Sequence, residues 1–228
     1  MAESTPIQFS LDGQAIAALP GETLLQVAAR HGIAIPHLCH QEGLTPAGNC
    51  RACVVEIDGE RVLAAACCRQ PTADMQVRTT SPRARQAQRL VLELLVADAP
   101  AEPLLRVDEL RRWSTELGIT ESRFPRADHQ PATDATHPAI RVNLDACIHC
   151  TRCLRACREV QGNDVIGFAM RGGASRIVFD QGATLGSSSC VGCGECVQAC
   201  PTGALASQGG LGTAVADDHV DSLCPYCG

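Results

Sequence analysis

The chain has 228 residues and a formal net charge of −6, which argues against nucleic acid as a partner. Aromatic residues make up 3% of it, yet it contains 15 cysteines, so the cysteines rather than a large aromatic core demand explanation. The most apolar helical stretch, Leu90–Val96, is too short to span a bilayer, and MAESTPIQFSLDG has no basic or apolar region of a signal peptide. These features predict no membrane span and a cytoplasmic location, where thiols stay reduced and free to bind metal.

In chain order, residues 6–18 alternate around Asp12-Gly13 and predict a hairpin. Gly21-Glu22-Thr23 opens a helix through LLQVAARHG that stops at Gly32. A second hairpin, CVVEIDGERVLAAAC, turns at Asp58-Gly59. Strands, one helix and more strands make residues 1–80 a small α+β domain. Ser81 caps and Pro82 starts a long helix that stops near Pro100, and a second helix over roughly Asp108–Leu117 ends at Gly118. The polar segment PRADHQPATDATHPA reads as a linker, so 81–137 is a helical connector. IRVNLDACIHC then opens a cysteine-rich domain over 138–208. Within it a strand pair around Val165–Asp180 turns at Gly172-Gly173. Residues 209–228 form a second linker and a terminal CxxC.

Inside that domain stand CIHCTRCLRAC and CVGCGECVQACP, an internal repeat of the form C-x2-C-x2-C-x3-C. Three cysteines at this spacing point three thiolates at one cluster. The fourth, three residues on and at a helix start, ligates the other cluster instead. Cys147, Cys150, Cys153 and Cys200 are therefore expected to hold one [4Fe–4S] cluster, and Cys190, Cys193, Cys196 and Cys157 a second. Pro201 follows the last cysteine of the second run, whereas Arg158 takes that place in the first, a departure expected to alter the local turn. Gly192 and Gly194 allow backbone N–H groups close to the sulfurs. His149 reads as a solvated bystander. Zinc, the competing metal, takes four ligands commonly arranged in CxxC pairs.

In the first domain Cys39, Cys50, Cys53 and Cys67 read C-x10-C-x2-C-x13-C and suit a planar [2Fe–2S] site, with Gly48 letting backbone pack against it. Cys68 competes with Cys67. Adjacent residues on a strand face opposite ways, so Cys67 is taken as the ligand and Cys68 as a bystander thiol.

The segment PHLCHQEGLTPAGNCRACVVEIDGERVLAAAC, followed by the tandem runs, resembles three related chains. They are the large iron–sulfur subunit of complex I, the diaphorase iron–sulfur subunit of NAD-linked hydrogenase, and the alpha subunit of soluble NAD-dependent molybdenum formate dehydrogenase. The ending SLCPYCG is similar to the start of the molybdopterin-binding part of the last, which implies that Cys224 and Cys227 are two ligands of an incomplete further site at the edge of a truncated chain or a split subunit; an orphan CxxC or a redox pair is the alternative. The resemblance implies a β-grasp [2Fe–2S] domain, a helical connector and a two-[4Fe–4S] ferredoxin-like domain. It further implies electron relay between a molybdopterin site and a flavin/NAD-binding partner. A subunit of an NAD-linked hydrogenase or complex I-like enzyme, or a free-standing ferredoxin-like carrier, is the alternative. The family also carries H-x3-C-x2-C-x5-C after the long helix. Here those places hold Ala99, Pro103, Arg106 and Arg112, so that middle cluster is expected to be absent. No dinucleotide fingerprint or phosphate loop is present, so the residues supply no substrate chemistry of their own.

Overall fold

A computed structural model of the chain describes residues 6–101, 104, 108–126 and 131–209. Cys224, Cys227, Pro103 and Arg106 lie outside the described residues.

The first hairpin forms as its Asp-Gly turn predicts: β1 (Ile7–Leu11) pairs antiparallel with β2 (Gln14–Ala18), and both turn residues take positive φ. Thr23 caps α1 (Leu24–Arg30) in a reciprocal capping box with Gln26, and Gly32 at φ +72° follows its end. The second hairpin is β3 (Val54–Ile57) against the short β4 (Ala64–Ala65). A strand with no hairpin signal, β5 (Gln76–Arg78), inserts between β1, to which it is parallel, and β3. The sheet order is thus β2-β1-β5-β3-β4, a β-grasp. Helix α1 buries Leu24, Val27 and Ala28 in a core with Leu11, Val55 and Val77, and Cys53 and Cys67 belong to that same core. These two cysteines are therefore anchored in the core of the domain.

Ser81 caps α2 (Pro82–Asp98) through its hydroxyl, and the proline sits where a missing N–H costs nothing. Ala84, Gln88 and Leu92 face inward at four-residue spacing. The fully buried Gln88 amide donates to the Val54 carbonyl (2.9 Å) and the Thr79 carbonyl (3.2 Å), pinning the helix to the sheet. Helix α3 (Glu109–Glu116) is capped by Asp108 and followed by Gly118 at φ +66°. Leu92, Leu110 and Trp113 pack with Leu38 and Ala52 of the first domain, and the partly buried Cys50 and Ile148 join them. One apolar cluster thus links the connector to both cysteine-rich regions.

In the C-terminal part, β6 (Ile140–Val142) pairs antiparallel with β9 (Leu205–Ser207). The hairpin β7 (Ile166–Ala169) and β8 (Arg176–Phe179) forms where the Gly172-Gly173 turn predicts it. Helices α4 (Arg152–Arg155) and α5 (Glu195–Ala199) lie inside the two cysteine runs. The stretch 131–139, polar in sequence, is held in place. Asp134 exchanges two 2.8 Å backbone bonds with Val142, and its carboxylate accepts from the Leu185 and Thr136 N–H groups. Gly186 packs against this stretch so closely that a Cβ there would lie 2.5 Å from the Thr136 carbonyl oxygen. Because the obstacle is backbone, Gly186→Ala is expected to lower the unfolding free energy by about 1–3 kcal/mol, read by denaturant titration. A loss below about 0.5 kcal/mol would show that the 131–139 stretch yields freely.

Candidate iron–sulfur centres

The first thiol group gathers around the loop after α1. Cys39, Cys53 and Cys67 are buried and Cys50 partly so. The proximity of the Cys50 and Cys67 thiols lowers the Cys39 pKa, while the same proximity holds Cys50 and Cys67 above the ordinary thiol value. The Cys39 N–H also donates to the Cys50 sulfur at 3.4 Å. Cys67 and Cys68 stand in a turn just beyond β4, not on a strand as expected from sequence. The turn nevertheless gives them different surroundings: Cys67 is fully buried beside the Cys39 and Cys53 thiols and Cys68 is exposed, with 3.6 Å between their sulfurs. Gly48, at φ +64°, leaves room for the Cys68 sulfur, which an added Cβ would approach to 3.1 Å.

The tandem runs interleave in space. Cys200 sits beside Cys147, Cys150 and Cys153, Cys157 sits with Cys190 and Cys193 around Cys196, and Cys196 and Cys200 also neighbour one another where the two groups meet. A cavity walled by Cys147, Cys150, Cys153 and Cys200 is closed by the apolar side chains of Leu144, Ile148, Ile177 and Leu205. Burial pushes Cys147 up to about 11 and Cys150 and Cys196 up to about 12, and Cys153 well above the ordinary value. Four thiols packed into so dry a space ionise only beside a cationic partner, and such a set of sulfur donors fits an iron–sulfur group. Among the described residues no group of three or more His, Cys, Asp or Glu is placed to hold a single metal ion.

The position of the fourth cysteine differs from the expectation. Each helix starts between the second and third cysteines, so the fourth falls at its far end. Cys200 is the C-cap of α5, and Pro201 stops the helix there. In the first run Arg158 permits continuation, and the helix widens into a π turn over Ala156–Val160 that contains Cys157. The two runs also reach the same backbone shape by different means. Gly192 and Gly194 take φ +70° and +82°, and the corresponding His149 and Thr151 take +55° and +60°. A β-branched residue in that region is strained. Asn49 of the first domain compensates by donating to the Thr151 hydroxyl at 2.7 Å. His149 packs its ring edge-to-face on Phe168, with centroids 5.4 Å apart.

The first domain and the first tandem run touch directly. Arg155 donates to the carbonyls of Cys39 (2.5 Å), Thr45 (2.6 Å) and Cys150 (3.3 Å), and the Thr45 N–H donates to Glu159 (2.8 Å). Arg152, also buried, forms a two-pronged bridge to Glu109 at the start of α3, at 2.7 and 2.9 Å. Neither arginine stands out in sequence as a functional residue. The signal that could have found them lies in the repeat itself, where Arg152 and Arg155 occupy the places of Glu195 and Gln198. At Ala99 and Arg112, two of the four ligand places of the middle cluster, the structure shows packing. Ala99 joins the apolar connector cluster, and the Arg112 guanidinium stacks 4.8 Å above the Trp113 ring.

The family model of the 2Fe-2S iron-sulfur cluster binding domain matches residues 4–82, and that of the 4Fe-4S dicluster domain matches 130–204. The whole arrangement aligns with a chain in the crystal structure of NAD+-reducing [NiFe]-hydrogenase in the H2-reduced state. The TM-score is 0.84 at 30% identity, over 91% of this chain and 90% of that one. The chain belongs to the iron–sulfur electron-transfer family of NAD-linked hydrogenases and complex I-like enzymes. Within this family, a subunit of NADH-quinone oxidoreductase from Rhizobium meliloti is 34% identical over 97% of this chain and 27% of its own length. The NADP-reducing hydrogenase subunit HndD of Solidesulfovibrio fructosivorans is 35% identical over 87% of this chain and 36% of its own. The chain thus spans about a quarter to a third of the length of the curated family members it matches. Among the described residues no helix is long and apolar enough to cross a membrane.

Proposed function

We propose that the chain holds one [2Fe–2S] and two [4Fe–4S] clusters and relays electrons between a flavin/NAD-binding partner and a second oxidoreductase centre. Cys39, Cys50, Cys53 and Cys67 would hold the first. Cys147, Cys150, Cys153 and Cys200, and Cys190, Cys193, Cys196 and Cys157, would hold the other two. Bound in these places, the clusters supply reversible one-electron chemistry. The chain's own residues bury the thiols, exclude water and hold the three groups in fixed relation.

The observation that carries this reading is the direct seating of the Cys39–Cys50 loop on the Cys150–Arg155 turn. The chain has no cysteine between 69 and 146, so this hydrogen-bonded contact, rather than a middle cluster, joins the two thiol-bearing regions. Anaerobically purified protein is expected to be brown and to contain about ten irons and ten acid-labile sulfides per chain. Colourless protein carrying zinc and no sulfide would overturn the assignment.

For the second centre, SLCPYCG supports a molybdopterin site of the formate dehydrogenase kind, with Cys224 and Cys227 in its neighbouring cluster. The similarity to NAD+-reducing hydrogenase and to HndD supports a hydrogenase instead. Reduction of the chain's visible absorbance by formate or by hydrogen, in the assembled complex, separates the two. A cytoplasmic setting fits the many free thiols.

A further inference from the structure

Of the two buried arginines in the first run, Arg152 is neutralised by Glu109, whereas Arg155 is not matched by any carboxylate among the described residues. All its hydrogen bonds there go to backbone carbonyls, and its Nε has no partner. It is 7% exposed. A guanidinium so placed has lost its water without gaining a counter-ion of its own, which is costly unless negative charge stands close by. Two of its three carbonyl partners belong to cysteines, Cys39 and Cys150, one from each thiol group that meets at this interface.

The repeat isolates this feature. Position 155 corresponds to Gln198 in the second run, where the side chain is exposed and uncharged. The cysteine framework therefore does not itself require an arginine at this place. It stands only in the run that faces the first domain. Iron–sulfur groups held by four thiolates are anionic, and each becomes more so when it accepts an electron. In a dry interior a nearby fixed cation stabilises that reduced form.

We propose that Arg155 is a redox-positioning residue: its buried, unpaired charge raises the reduction potentials of the [2Fe–2S] group and of the nearer [4Fe–4S] group together, and its fork holds the two sites in register. An electron passing between them leaves one group as it arrives on the other, with no proton transfer, and Arg155 counters the added charge in either location. This rests on the cluster assignment proposed above.

The test is a potentiometric titration of the full chain, purified anaerobically with its clusters and followed by electron paramagnetic resonance. R155Q is expected to cut the ratio of reduced to oxidised centre about tenfold at a fixed potential, a midpoint lowered by about 59 mV for one electron, at the [2Fe–2S] and nearer [4Fe–4S] signals. The third signal should hold within about twofold, as should all three in Q198A. R155K, which keeps the charge, should remain within about threefold of wild type. Unmoved potentials in R155Q at full iron and sulfide content overturn the proposal, as does an R155K shift equal to that of R155Q. If R155Q and R155M both fail to retain clusters, retention in R155K supports a requirement for charge, and loss in R155K overturns it. A wild-type chain without iron and sulfide would instead remove the cluster assignment itself.

Discussion

Cys157→Ala is expected to abolish the same spectroscopic signal as Cys196→Ala, and Cys200→Ala the same signal as Cys153→Ala, with up to four irons lost per chain in each case. Sequence proximity alone would pair Cys157 with Cys153 and Cys200 with Cys196. The surroundings of Cys200 and Cys157 support the opposite pairing. Cys200 is an electrostatic neighbour of Cys147, Cys150 and Cys153, and lines their cavity. Cys157, within the π turn that ends the first run, neighbours Cys196 together with Cys190 and Cys193. Electron paramagnetic resonance of the four single variants, reduced with dithionite, decides between the pairings. Loss of the same signal from Cys157→Ala and Cys153→Ala would sink the interleaved assignment.

The second large effect concerns stability. Glu109→Gln should cost about 2 kcal/mol, because it leaves the Arg152 guanidinium buried without a counter-charge. The full penalty for breaking a buried pair, about 3–5 kcal/mol, is discounted because the Glu109 side chain is partly exposed. The asymmetry gives the prediction a second edge. The double variant Glu109→Leu with Arg152→Met should recover most of the loss, since two apolar groups leave no charge unpaired. Denaturant titrations of the singles and the double measure the coupling. A Glu109→Gln cost below about 0.5 kcal/mol would mean that α3 docks on the first run through its apolar face alone.

What the sequence disclosed and what it concealed divide along a physical line. The hairpin at Asp12-Gly13, the Ser81-Pro82 helix start and the Gly172-Gly173 turn were legible because each rests on local backbone preference. Strand β5 was not, because its alternation, Met75-Gln76-Val77-Arg78-Thr79, is short and no turn signal ties it to a partner strand. It exists because β1 and β3 leave a slot between them. Strand β9 was missed for the same reason and forms because β6 needs a partner. In the candidate sites, cysteine spacing announced the thiol groups, since ligation demands that spacing. Arg155 and Asn49 act across the domain boundary, between positions roughly a hundred residues apart, so apart from the departure from the repeat at Arg155 no pattern in their own neighbourhood marks them. The polar stretch 131–139 resembles a free linker because its side chains are hydrophilic. They serve instead as hydrogen-bond acceptors for the Leu185 and Gly186 N–H groups, while the Asp134 backbone pairs with Val142.

The unequal backbone of the two cysteine runs has an implication for how the molecule is put together. The second run is self-supporting, since Gly192 and Gly194 adopt their left-handed shape unaided. The first run borrows its shape. His149 and Thr151 resist the same conformation, and part of what holds Thr151 there is supplied by Asn49, a residue of another domain. A chain that folds from its N-terminus has that support waiting when the first run emerges. The run that contacts the first domain is thus also the one whose geometry is completed only by docking, so the site's final form and the route into it come into being in the same event.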